Sequence, residues 1–187
     1  MTGSVLDLAS GSDGHFVLES GLHTDRWLDL EPLFTTAAIE PFVDSLAERL
    51  RRFHVDVVCG PLVGGAFLAQ RIALRLRVDF TYAERTHDAA DGGLYLARYR
   101  VPDPLRRRLA GRRVAVVDDA ISAGSSVRAT VLDLVEAGAE PAVVGTLALL
   151  GTTGAAHLAA QGLPVESVER HPLSLWPPAT CPLCHSG

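Results

Sequence analysis

The chain has 187 residues, 48% hydrophobic and 21% charged, with a net charge of −5; that is enough apolar side chain for one core of ordinary size. The acidic balance excludes a nucleic-acid or anionic-membrane surface as the main partner, and no run approaches the roughly 18 apolar residues of a membrane span. The start, "MTGSVLDLASGSDGH", has neither the basic nor the apolar region of a secretory leader, and 3 cysteines make no even disulfide framework, so a reducing cytoplasm is expected.

Residues 14–34, "GHFVLESGLHTDRWLDLEPLF", contain short β-like pieces broken at Ser20-Gly21 and predict a small antiparallel cap. From Thr35 to Phe53 the apolar residues Ile39, Phe42, Val43, Leu46, Leu50 and Phe53 recur at helical spacing. "VDVVC" (55–59) is a short apolar run suited to a strand covered on both faces. A helix follows over 64–76, with Leu68, Ile72 and Leu76 on one stripe, then a strand over 78–84. The stretch 85–100 is polar and glycine-containing before Leu94 and predicts a β-arm with a mobile tip, a common form for a lid.

"RRVAVVDD" (112–119) predicts the next strand, and 126–138 a helix with Val127, Val131, Leu134 and Val135 inward and Gly138 as its C-terminal cap. A strand over 141–150, a short helix near 154–160 and a last strand at 165–168 complete the core. Strand–helix alternation predicts an α/β fold: one parallel sheet with helices on both faces. The expected organisation is a single domain, with 1–34 as cap, 35–170 as core and 171–187 as tail.

In an open parallel sheet, ligands bind beyond the carboxyl ends of the strands, where Asp118 and Asp119 are expected. The following "ISAGSS" brings backbone N–H groups and a helix start together with almost no side-chain bulk, which suits an anion; Ser122, Ser125 and Ser126 add hydroxyls. Carboxylates beside an anion cradle would repel a bare phosphate, but they accept hydrogen bonds from sugar hydroxyls and attract a divalent cation. The segment therefore suits a ribose 5-phosphate. The plainer alternative is that the two acids cap the helix and Gly124 makes a turn. The lysine and spacing of a P-loop are missing.

Val114–Ser126 resembles the phosphoribosyl-pyrophosphate (PRPP) signature of the type I phosphoribosyltransferases. Residues 14–30 are similar to the N-terminal signature of the orotate subfamily, 59–73 to its pyrophosphate-side loop and helix, and "TYAER" (81–85) to the strand carrying its acid–arginine or Asn-Arg pair. The resemblance implies the type I phosphoribosyltransferase fold, PRPP and Mg²⁺ as ligands, pyrophosphate as leaving group and a nucleobase as acceptor, orotate first. It also implies a homodimer. In such a reaction, positioning and stabilisation of the pyrophosphate outweigh acid–base chemistry.

The roles it implies are these. Asp118 and Asp119 hold the ribose hydroxyls, directly or through Mg²⁺. The backbone and hydroxyls of Ser122, Ala123, Gly124, Ser125 and Ser126 cradle the 5-phosphate, and Ala120 and Ile121 complete the PRPP-binding stretch. Arg85 meets pyrophosphate, or else pairs with Glu84 or another exposed acid. Gly64 and Gly65, in the loop from Gly60, bring bare backbone to the pyrophosphate, or else let a helix pack tightly. His87 closes over the site or stays in solvent. Ser122 and Arg26 contact the base, although Arg26 could equally form a surface ion pair.

Two positions depart from the subfamily pattern. Thr86 follows Arg85 where a lysine is common, and the chain contains no lysine at all. Leu150-Gly151 stands where an Asp-Arg holds the orotate carboxylate. An unpartnered carboxylate is costly to desolvate, so either Arg26, Arg98 or Arg100 substitutes, or the acceptor is a different base; a non-catalytic PRPP sensor is the third possibility. The triplet Arg106–Arg108 reads as a solvated face or helix end. Cys181, Cys184 and His185 have zinc-knuckle spacing but supply at most three ligands, and a fourth would come from Cys59 or a second chain. The expectation there is a packed or disordered tail with free thiols, and His23, His54, His157 and His171 read as structural or surface residues.

Overall fold

The structure, a computed structural model, describes residues 3–86 and 94–186. Its centre is a sheet in which three strands are buried on both faces: β3 (Val57–Pro61), β6 (Arg113–Ile121) and β7 (Glu140–Leu150). Their near-continuous apolar runs fit strands that no water reaches. The outer strands are β4 (Asp79–Thr86), β5 (Arg98–Arg100) and β8 (Val165–His171), and the order across the sheet is β5-β4-β3-β6-β7-β8. All neighbours are parallel except β5, which returns antiparallel along β4 with Arg85 opposite Tyr99.

Helices cover both faces, as the alternation predicts. Alternate residues of β6 serve opposite cores. Ala115 and Val117 pack under α1 (Glu40–Leu50) and α2 (Gly64–Leu76), with Leu46, Leu50, Leu68 and Ile72. Val114 and Val116 pack on the other side under α4 (Ser125–Glu136) and α5 (Thr153–Ala160), with Val131, Leu134 and Leu158. The period of 2 along the strand meets the 3.6-residue period of each helix.

Three sequence expectations change. The predicted helix over 35–53 is α1 flanked by short 3₁₀ turns at Ala37–Ile39 and Arg51–Phe53. Val135 is 56% exposed rather than inward, because Leu134 already fills the stripe facing the sheet. Arg106 stands at a helix end, one of the two expected readings, but not in solvent: closing the one-turn helix α3 (Asp103–Arg106), it pairs with the buried Asp133 of α4. Arg107 and Arg108 are exposed as expected.

The N-terminal cap is a hairpin of β1 (Ser10–Val17) and β2 (His23–Asp29), turning at the buried Ser20. The C-terminal tail, ending in the short helix α6 (Pro182–Ser186), reaches it: His23 and Trp176 exchange two backbone hydrogen bonds of 2.8 and 2.9 Å. Among the described residues no helix is long and apolar enough to cross a membrane.

Asp133 also accepts the buried Val101 N–H at 2.8 Å. Asp133→Ala orphans that N–H and leaves the Arg106 guanidinium with only the exposed Glu136, 3.6 Å away, as a charge partner, so chemical denaturation should show a loss of about 2–4 kcal/mol.

Candidate functional site

Chain order reverses at β3: β4 lies on one side of it and β6 on the other. Such a switch point leaves a crevice beyond the carboxyl ends of the two central strands. The loop after β3 and the last residues of β6 lie at that end of the sheet. The strand β6 runs to Ile121, two residues further than the sequence predicts, because Ala120 and Ile121 still pair with Ala148 and Leu149 of β7. Its pairing with β3 stops earlier, at Val116 opposite Cys59. From there the start of α2 comes up against Asp118 and Asp119.

That approach depends on glycine. A β-carbon on Gly64 would lie 2.0 Å from Asp119 Oδ2, and one on Gly65 would lie 2.7 Å from Asp118 Oδ1. The partial positive charge at a helix N-terminus favours carboxylates there. The Ser126 hydroxyl donates to Asp118 Oδ2 at 2.7 Å, the Asp119 N–H to Asp118 Oδ1 at 3.1 Å, and the Ala120 N–H to Asp119 Oδ1 at 2.7 Å. No arginine or histidine forms an ion pair with either acid among the described residues. Burial holds the Asp118 carboxyl well above the ordinary range, and the neighbouring Asp119 charge adds to this; burial raises Asp119 as well.

Beyond Ile121 the chain bends through Ser122 and Ala123 to Gly124, whose φ of +79° puts it in the left-handed region. Helix α4 then begins, and its first intrahelical bond runs from the Arg128 N–H to the Gly124 carbonyl. The N–H groups of Ser125, Ser126 and Val127 thus precede the ladder. The Ser125 hydroxyl is buried and has no partner among the described residues. The bend rests on α5, where the Gly154 N–H donates to the Ser122 carbonyl at 3.0 Å. A β-carbon on Gly154 would sit 2.6 Å from that oxygen. The sequence gives no sign of this support.

Arg85 is near the end of β4 and pairs with Glu19 of the hairpin turn at 3.2 Å, not with the adjacent Glu84. Tyr99 donates to the same Glu19 carboxylate at 3.1 Å. Burial raises the Tyr99 phenol, followed by the charges of Glu19 and Asp118, while Arg85 opposes the rise. Glu19 and Tyr99 were not identifiable from sequence, since their pairing joins segments 80 residues apart.

Arg26 is exposed on β2 and lines a cavity of about 230 Å³ with Asp13, Asp25, Pro172, Leu173 and Ser174. The Leu173 carbonyl lies against Gly151, within 2.8 Å of where a β-carbon would stand. So Arg26 shares a wall with the end of β7, whereas Arg98 and Arg100 are on the far edge strand, the latter bonded to Asp103 at 2.8 Å. Among the proposed site residues, Ala120–Ser126, the two acids, Gly64 and Gly65 come together; Arg85 is held with Tyr99 on Glu19 of the hairpin turn, and Arg26 lies beside the tail. His87 lies outside the described residues.

Residues 32–172 match the family model described as a phosphoribosyl transferase domain. The chain belongs to the phosphoribosyltransferase family. The orotate phosphoribosyltransferase of Thermotoga maritima is 32% identical over 176 residues, which are 94% of this chain and 87% of that protein. A crystal structure of orotate phosphoribosyltransferase from Aeropyrum pernix superposes with a TM-score of 0.67 at 27% identity, over 86% of this chain and 87% of that one. An adenine phosphoribosyltransferase from Thermoanaerobacter pseudethanolicus reaches 0.64 at 22% identity, covering 78% of this chain and 88% of that one. The fold is thus common to phosphoribosyltransferases named for different bases, and it is the type I phosphoribosyltransferase fold that the sequence implies.

The raised carboxyls carry a pH signature. In the unfolded chain both acids ionise near pH ~4, but in the folded protein they ionise higher. Their contribution to stability is complete below the unfolded value and is lost as pH rises through the folded values. In cation-free buffer, the wild type should therefore lose stability relative to Asp119→Asn as pH is raised through that window, read as the difference in Tm between the two proteins.

Proposed function

We propose that this phosphoribosyltransferase joins orotate to PRPP and releases pyrophosphate, a step of pyrimidine nucleotide synthesis. The observation that carries the proposal is the juxtaposition of an uncompensated acid pair with a bulk-free bend holding an unpartnered hydroxyl. A phosphorylated pentose satisfies both at once. The N–H groups of Ser125, Ser126 and Val127 and the Ser125 hydroxyl receive the 5-phosphate, while Asp118 and Asp119 accept hydrogen bonds from the ribose hydroxyls.

The donor set also fits Mg²⁺: two hard carboxylates with no cation paired to them. Bound there, Mg²⁺ would neutralise charge on PRPP and the departing pyrophosphate. The bond from C1′ to the pyrophosphate oxygen breaks, C1′ bonds to a ring nitrogen of the base, and the proton of that nitrogen leaves to pyrophosphate or solvent. The chain supplies positioning and fixed charge rather than proton transfer. Arg85, half exposed on its pair with Glu19, is free to exchange that carboxylate for pyrophosphate oxygens, which a guanidinium binds two at a time.

Orotate brings a carboxylate that needs a cation, and Leu150-Gly151 offers none. Arg26, in the cavity that adjoins Gly151 through Leu173, supplies one. A different base is the second reading, favoured by the missing cation at Leu150-Gly151 itself. The family resemblance further carries a homodimer and a cytoplasmic location into the proposal.

Pyrophosphate release with PRPP and Mg²⁺ should appear on adding orotate and fall at least tenfold in Arg26→Ala, mainly through a higher KM. Turnover with adenine or another uncharged base but not orotate would replace the acceptor. A rise in Tm with PRPP but turnover with no base would make the protein a sensor.

A further inference from the structure

We propose that His15, His23, Cys181 and Cys184 bind one Zn²⁺ ion that pins the C-terminal tail to the N-terminal hairpin. The ligand atoms of these four side chains all lie within 4.8 Å of one another. His15 Nε2 faces His23 Nδ1 at 2.9 Å, and both Cys181 Sγ and Cys184 Sγ lie 3.6 Å from His15 Nε2. Cys184 Sγ is 3.2 Å from His23 Nδ1. For a tetrahedral ion with Zn–S of about 2.3 Å and Zn–N of about 2.0–2.1 Å, ligand atoms stand roughly 3.3–3.8 Å apart. The observed spacings leave such a centre to be filled after small side-chain adjustments.

Local structure explains how four distant residues converge. The hairpin register shifts between Asp13 and Phe16, inserting an extra residue into β1. A bulge of this kind re-aims a side chain, and His15 lies within it. His23 opens β2, where its backbone is bonded to Trp176 of the tail. Five residues beyond Trp176 comes Cys181, and Cys184 follows one helical turn later on α6, so both thiols share a face. The cysteines are free, with no disulfide between them.

Two thiolates and two imidazoles in a closed tetrahedron select zinc, and four protein ligands leave no open position for chemistry. The ion is structural. On binding, each thiol loses its proton to solvent, so retention weakens in acid. This arrangement corrects the sequence expectation in two respects. The missing ligands come from the hairpin rather than from Cys59, which is buried in β3, or from a second chain. His185 is not part of the cluster, and His23 is a ligand rather than an isolated structural histidine. The proposal is independent of the acceptor and of the PRPP site, and its test uses no substrate.

Metal analysis of the purified wild-type protein, reconstituted with Zn²⁺ and desalted, should find one zinc per chain. Cobalt substituted for zinc should give thiolate charge-transfer absorption and the intense visible bands of a tetrahedral S₂N₂ site. His15→Gln, an exposed position on the hairpin, should reduce zinc affinity tenfold or more, and Cys181→Ser/Cys184→Ser should lose the metal and lower Tm. The proposal is overturned if the wild type retains no zinc, if its cobalt form lacks thiolate charge transfer, if the variants keep the same zinc content, or if thiol counting finds Cys181 and Cys184 joined to each other.

Discussion

The organising constraint of this molecule is two adjacent carboxylates, Asp118 buried and Asp119 largely so, with no cation paired to either among the described residues. Burying like charges together opposes folding, and the raised protonation of Asp118 and Asp119 expresses that cost. The surroundings are arranged to bear it. Glycines at the start of α2 let a positive helix end approach, and Ser126 donates a hydroxyl to Asp118. A fold indifferent to ligands would gain by replacing either acid with an apolar residue. Retaining both makes sense when a ligand completes the charge balance.

The rest of the architecture places the parts around that pair. The reversal of chain order at β3 sets the carboxyl ends of β3 and β6 side by side, where open α/β sheets bind ligands, and β6 carries the acids there. The bend that follows leaves three amides ahead of the α4 ladder. Support arrives from residues that touch no ligand: Gly154 holds the bend from beneath, and Glu19 joins the hairpin to Arg85 and Tyr99. The hairpin is in turn bound to the tail through His23 and Trp176. Positioning therefore passes from the chain's two ends to its centre.

The sheet and the acid–bend motif were legible because both are local. Apolar runs such as "VAVV" and the stripe Leu68, Ile72, Leu76 record their environment in consecutive residues. What remained hidden depends on long-range pairing. His15 and Cys181 are 166 residues apart, and a Cys-x-x-Cys gives no pointer to histidines at the other end of the chain. Arg106 looked solvated because its partner, Asp133, belongs to a helix 27 residues on. Strand β6 outran its predicted end because β7, not its own composition, supplies the pairing for Ala120 and Ile121.

Calorimetric titration of PRPP in the presence of Mg²⁺, comparing the wild type with Asp118→Asn/Asp119→Asn, addresses the acid pair most directly. The account predicts that the variant remains folded and loses at least tenfold in affinity, about 1.4 kcal/mol or more. Affinity unchanged by neutralising both acids would contradict it.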